Sequence, residues 1–258
     1  MYPIYIVSKG RAETISTPKV LDTVGIPYTF VLEQQEYEAY RHHFPQSPVV
    51  VLPESHKGIA YVRNWLLQYA AQQGHTWYWM MDDDIRGFWK VERGEYVPAD
   101  ATVLLGAEKA TTWENIVQVS LCTKWKSGPA RKDQYVLNTD CSRVVCQQAQ
   151  ILSKFAEYCP DLPLFSDADF TLQALHRGYQ TVTWQTYAQY TYFCGSNKGG
   201  LHETYRSEDL LLWAEKLRSR WGKDIVKIRK NNVGKLRPDV QWNYFSEGVK
   251  RVSGIHPK

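Results

Sequence analysis

At 258 residues, with 43% apolar and 22% charged content, the chain has ordinary globular composition and enough length for a full hydrophobic core. No apolar run is long enough to span a bilayer, and five cysteines without a CxxC pair argue against a disulfide framework or a zinc site. The net charge of +4 conceals an asymmetry: Lys216 to Lys258 hold 12 Lys/Arg against 3 Asp/Glu, which suits a polyanion or simply a solvated face.

In chain order, PIYIVS (3–8) reads as a first strand ending at Lys9-Gly10, and 14–24 as a helix closed by Gly25 and Pro27. Residues 28–33 form a second predicted strand ending on Glu33. Residues 36–43 read as a short helix or turn, and 48–53 as a third strand bracketed by prolines. Ile59, Val62, Leu66, Leu67 and Ala70 recur at helical spacing, so 58–73 is a helix stopped by Gly74. TWYWMM (76–81) is a fourth strand. Further on, 113–120 and 147–157 are helix candidates, 134–138 a short strand, 164–184 loop, helix and strand, and 207–221 a helix ended by Gly222.

Strands alternating with helices imply βαβ units and a mostly parallel sheet. The absence of repeats, low-complexity tracts or a clear linker favours one domain. In such sheets ligands bind beyond the carboxyl ends of the strands, where Ser8 to Arg11, Glu33 and Asp82 to Asp84 all fall.

The fourth strand runs directly into Asp82-Asp83-Asp84. Alternation along an extended chain puts Asp82 and Asp84 on one face and Asp83 on the other. Two hard oxygen donors on one side suit Mg²⁺ or Mn²⁺ held jointly with a diphosphate. An acidic turn before Gly87 is the plainer alternative, but three adjacent carboxylates at a dry strand end repel one another unless a cation offsets them. Gly58 opens the preceding helix, where backbone N–H groups suit an anion, and Arg63 and Asn64 follow on its second turn. Arg63 can fork onto phosphate or onto an acid. Ser166 with Asp167 and Asp169 fits a capped helix start with acids against the dipole, or a catalytic carboxylate in that position.

The run G-x-A-x-x-R-N, a helix, and an apolar strand ending in D-D-D resembles the donor half of a GT-A glycosyltransferase. SDAD (166–169), followed by HRG (176–178), resembles the second acidic motif of those enzymes. The opening P-I-Y-I-V-S-K-G-R resembles the TET-associated glycosyltransferases of bacteriophages. The resemblance implies a Rossmann-like GT-A α/β fold with a mixed, mostly parallel sheet flanked by helices. It divides the chain into a donor half (1–90), an acceptor and catalytic half (91–215) and a basic C-terminal segment (216–258).

It further implies a nucleotide-sugar donor, a UDP-sugar, with Mn²⁺ or Mg²⁺, and transfer to 5-hydroxymethylcytosine in DNA in the cytoplasm of an infected host. Asp82, Asp84 and His202 would be metal ligands. Ser8, Lys9, Gly10, Arg11, Glu33, Gly58, Arg63, Asn64, Asp82, Asp83 and Lys198 would contact the donor. Asp167, with Asp169 beside it, would be the catalytic base. Trp125, Trp184, Tyr190, Tyr192 and Phe193 are candidates to stack a flipped base, with core packing an equal alternative. Lys124, Lys126, Arg131 and Lys132 in one loop, and Lys227, Arg229, Lys230, Lys235 and Arg237 in the tail, would hold DNA phosphates, with 125–132 and 228–238 reading as flexible basic loops. A glycan or small-molecule acceptor stays open at this point, as do a nucleotidyltransferase and a non-catalytic DNA-binding module.

Overall fold

The computed structural model describes residues 1–124, 134–192, 204, 210–230 and 234–245. Within them a mixed α/β architecture is present. The first strands are β1 (Ile4–Val7), β2 (Thr29–Leu32), β3 (Val49–Val51) and β4 (Trp77–Asp82). They lie in the order β3-β2-β1-β4, all parallel. The intervening helices are α1 (Thr17–Asp22), α2 (Tyr37–His43) and α3 (Gly58–Gln72). Parallel strands buried on both faces need continuous apolar runs, and β1 is buried throughout. Proline sits in the first turn of α1, while Gly74 (φ 77°) ends the turn after α3.

Beyond β4 the chain forms β5 (Ile85–Glu92), β6 (Glu95–Ala99), a short α4 (Val103–Ala107), β7 (Ile116–Thr123), β8 (Tyr135–Leu137), β9 (Val144–Gln148) and α5 (Ala149–Leu152). Then come α6 (Ser166–His176), β10 (Gln180–Thr191), α7 (Leu210–Trp221), β11 (Val226–Lys230) and β12 (Leu236–Val240). The sheet continues β4-β9-β7-β10-β5-β6, with β8 on β10. Here β9 is antiparallel to both neighbours, β7 and β10 are parallel, and β10 bends through a register shift to meet β5 antiparallel. Strands β11 and β12 form a separate hairpin.

Three expectations are corrected. The segment 113–120 enters β7 instead of a helix. Its run Ile116–Cys122 is buried at every position, and a surface helix would need a polar face. Its polar members are accommodated inside the sheet: Ser120 hydrogen-bonds Thr183 across strands at 2.9 Å. The helix expected over 147–157 shrinks to Ala149–Leu152, because Gln147 and Gln148 belong to β9. The expected flexible basic loop at 228–238 contributes to both paired strands of the β11–β12 hairpin.

Trp184 is likewise a core residue, not a base-stacking surface. It is 7% exposed, donates from Nε1 to the Ala107 carbonyl at 3.0 Å, and packs on Trp113 and Tyr135. Trp184→Ala is expected to lower stability by about 3–5 kcal/mol, read as a fall in the denaturant midpoint at unchanged slope. An unchanged midpoint would return Trp184 to the surface candidates.

Candidate active site

The three Asp residues are set by α1. Thr17 Oγ1 donates to the Asp82 carbonyl at 2.6 Å and accepts from the Ile85 N–H at 2.9 Å, while the Ser16 N–H donates to the Asp83 carbonyl at 3.0 Å. This clamp closes the turn between β4 and β5 and sends the carboxylates in different directions. Asp83 turns toward β1, where Ser8 Oγ and Arg11 Nη1 both donate to it. Burial pushes Asp83 up in pKa, against the Arg11 charge and these hydrogen bonds. Asp84 accepts from Thr191 Oγ1 at 2.9 Å. Asp82 meets Arg63.

Arg63 is the hub. Its side chain is 7% exposed; Nη1 donates to Asp167 Oδ1 at 2.7 Å and Nη2 to Asp82 Oδ1 at 3.3 Å. It also lies over the Tyr158 ring, 5.3 Å from the centroid. Burial would disfavour the guanidinium charge, but the two carboxylates outweigh it and hold Arg63 protonated. Burial pushes Asp82 up to about 7; Arg63 opposes that shift, and Asp84 and Asp167 reinforce it.

These groups line one cavity of about 820 Å³. That lies within the span of ligand sites. Its β1–β2 wall includes Ser8, Lys9, Arg11 and Glu33. Glu33 is buried, which alone would raise its pKa, but hydrogen bonds from Lys9 Nζ (2.7 Å) and Gln35 hold it below the ordinary value. Gly58 lines the same cavity at φ 82°, a left-handed turn that favours glycine, so the start of α3 faces the cavity.

Several predicted residues take other places. Asn64 lies outside the cavity lining and makes a two-way bond with the Tyr158 backbone, at 2.9 and 2.7 Å, fixing α3 against that loop. Gly10 is exposed, with its N–H on Glu36 at 2.7 Å. Asp169 is removed from the catalytic pair. It is fully buried, held by Arg220 Nε (2.8 Å), Trp221 Nε1 (2.7 Å) and Gln173 Nε2 (2.9 Å), and anchors α7 to α6. Ser166 does not cap α6 through its side chain; the helix starts from Phe165 in a left-handed conformation. Arg63 faces carboxylates rather than a free anion site.

Lys198, His202, Trp125, Lys126, Arg131, Lys132 and Phe193 lie outside the described residues. Lys124 sits over the Trp89 ring, and Arg86 over Tyr190 and Tyr192, of which Tyr192 lines the cavity.

Sequence reading missed the opposite wall. Thr139, Asp140, Ser142 and Arg143, from the loop between β8 and β9, face the cavity, as does Trp242. The Arg143 carbonyl accepts the Asp82 N–H at 2.8 Å, fastening that loop to the acidic turn. The polar run TDCSR between two β-rich segments was the available signal.

Among the described residues no group of three or more His, Cys, Asp or Glu is gathered to hold a metal. Asp82 and Asp84 nevertheless fit a hard divalent cation. They are two carboxylates on one cavity, where burial first and then the charge of Asp84 disfavour the ionised form of Asp82, a cost a cation would offset. Mg²⁺-type ions take one or two protein carboxylates plus substrate oxygens.

Among solved structures, the chain resembles GalNAc-T7 with UDP, GalNAc and Mn²⁺ at TM-score 0.48 and 10% identity, over 86% of this chain and 48% of that one. It thus spans about half the length of that protein. A197 from STIV matches at TM-score 0.41 and 11% identity, over 75% of this chain and 86% of that one. A mannose-1-phosphate geranyltransferase from Thermus thermophilus matches at TM-score 0.34 and 12% identity, over 74% of this chain and 57% of that one. A search of the curated proteins finds no match. No helix among the described residues is long and apolar enough to cross a membrane. The profile of the TET-associated glycosyltransferases matches residues 2–200, across the acidic turn, α3 and α6 that build the cavity, and the chain belongs to that family.

Proposed function

We propose that the protein moves a sugar from a nucleotide-sugar, a UDP-sugar, to the hydroxymethyl group of 5-hydroxymethylcytosine in DNA, with a divalent metal. The observation that carries this reading is the Arg63 bridge. It holds Asp82, at the end of β4, and Asp167, on α6, against one cavity. A diphosphate leaving group and an acceptor hydroxyl need those two chemistries side by side.

Lys9, Arg11 and Glu33 line the end where a nucleotide fits, and the start of α3 offers N–H groups to phosphate. Asp82 and Asp84 would hold Mn²⁺ or Mg²⁺, which when bound would supply positive charge against the departing diphosphate. Asp167 is fixed through Oδ1 by Arg63, which leaves Oδ2 to take the proton from the hydroxymethyl group as it attacks the anomeric carbon. The new C–O bond forms as the sugar–phosphate bond breaks, and direct attack inverts that carbon.

The test is a mass spectrum of nucleosides from hydroxymethylated DNA after incubation with a mixture of nucleotide-sugars. A hexose-shifted hydroxymethyl nucleoside is expected. Sugar transferred only to small acceptors, with DNA unmodified, would replace DNA by a glycan or small molecule.

A further inference from the structure

We infer that the C-terminal hairpin supplies the acceptor side of the cavity, with Arg237 taking a phosphate of the nucleic acid next to the target base. The inference rests on the glycosyl-transfer reading and goes beyond it, because the hairpin follows the residues matched by the family profile.

The hairpin reaches the cavity through Arg237, Pro238, Asp239 and Val240, and Trp242 follows them there. It is fastened on the side away from the nucleotide end. Asn138 Nδ2, after β8, donates to the Phe245 carbonyl at 2.9 Å, and the sheet order places β8 and β10 across β4 from β1 and β2. Helix α6 stands between the two sides. Phe170 packs in the cluster containing α3, and Leu172 packs with Leu217 and Trp221 of α7. Asp167 on α6 therefore has the donor wall on one side and the hairpin on the other. In a displacement the nucleophile arrives opposite the leaving group, so the hairpin side is where the acceptor lies.

Charge selects the ligand. Arg229 and Arg237 are directly opposite each other across the hairpin. Like charges so placed destabilise a strand pair. Arg229 is neutralised by Asp239 at 2.8 Å, and Asp239 also accepts from Gln241 at 2.9 Å. The Arg237 side chain has no hydrogen bond or ion pair to any described residue, and its Nε is buried without a partner. An unpaired guanidinium on the acceptor side of a cavity fits an anion, and the anion that accompanies a base in DNA is its phosphate. Lys227 and Lys230 of the same hairpin, expected from the sequence to hold DNA phosphates, are exposed and outside the cavity lining, so that contact is not assigned to them.

The experiment compares wild type, Arg237→Ala, Arg237→Lys and Lys227→Ala. Affinity for a labelled hydroxymethylcytosine oligonucleotide is read by anisotropy across salt, and affinity for UDP with Mn²⁺ by calorimetry. Arg237→Ala is expected to weaken the oligonucleotide about tenfold or more and to reduce the salt slope by about one. UDP affinity stays within about twofold, Arg237→Lys falls between, and Lys227→Ala changes little. The UDP titration also reports folding, since an unfolded variant loses it, and Arg237→Lys then decides the matter.

Weakened UDP binding by folded Arg237→Ala or Arg237→Lys, with DNA binding kept, would assign Arg237 to the donor. An equal loss in Lys227→Ala would mean diffuse attraction. Either result overturns the inference while transfer to DNA stands. Wild type that binds UDP but neither binds nor modifies DNA would instead overturn the functional reading beneath it.

Discussion

Asp167→Asn is expected to lower the rate constant for sugar transfer by roughly 10²–10⁴ while leaving UDP affinity near wild type. The substitution keeps shape and an oxygen for Arg63, whose Nη1 donates to Asp167 Oδ1 at 2.7 Å, but it removes the basic oxygen. Because the amide still occupies the bridge, α3 and α6 stay tied, and the loss falls on kcat instead of on donor binding. Single-turnover transfer alongside a UDP titration separates the two. Undiminished transfer would remove Asp167 as the base and leave the bridge a purely structural device.

The second large effect belongs to Asp84. Asp84→Ala is expected to reduce transfer by roughly 10²–10³ and to abolish the Mn²⁺ dependence of UDP binding, matching what EDTA does to wild type. Asp84 is the cleaner test than Asp82. Among the described residues it accepts from Thr191 Oγ1, whereas losing Asp82 also strips Arg63 of a partner and disturbs the bridge. A variant whose UDP affinity still rises with Mn²⁺ would place the cation elsewhere. EDTA-insensitive transfer by wild type would remove it from the reaction.

The first half of the fold was legible because each strand there is a compact β-branched or aromatic run halted by Gly, Pro or a charge, and its long helix α3 shows its own period. The same logic misread β7. A strand buried on both faces has no alternation, and Ile116, Val119 and Ser120 also satisfy a helical spacing. The β5–β6 hairpin passed unread although Arg93 and Gly94, both at positive φ, form its turn; the Gly after a charged residue was the cue. At the site, Asp167 and the acidic turn were readable as motifs. Their meeting through Arg63 was not, since the partners are far apart in the chain. Asp169 looked equivalent to Asp167, but nearby helix positions face differently: one side chain reaches the cavity while the other is sealed against Trp221. The R-N motif assigns Asn64 to the donor together with Arg63, yet on a helix the next residue points elsewhere, here to the Tyr158 backbone.

The guanidinium bridge spans 104 positions of sequence between α3 and α6. A contact so distant along the chain can form only after both stretches have folded and come together, and loop closure makes such pairings late events. A chain cut after β7 would keep Arg63 and the acidic turn but lose its second carboxylate. In the proposed reaction, activity would thus be tied to completion of the molecule, since neither fragment alone holds both Asp82 and Asp167.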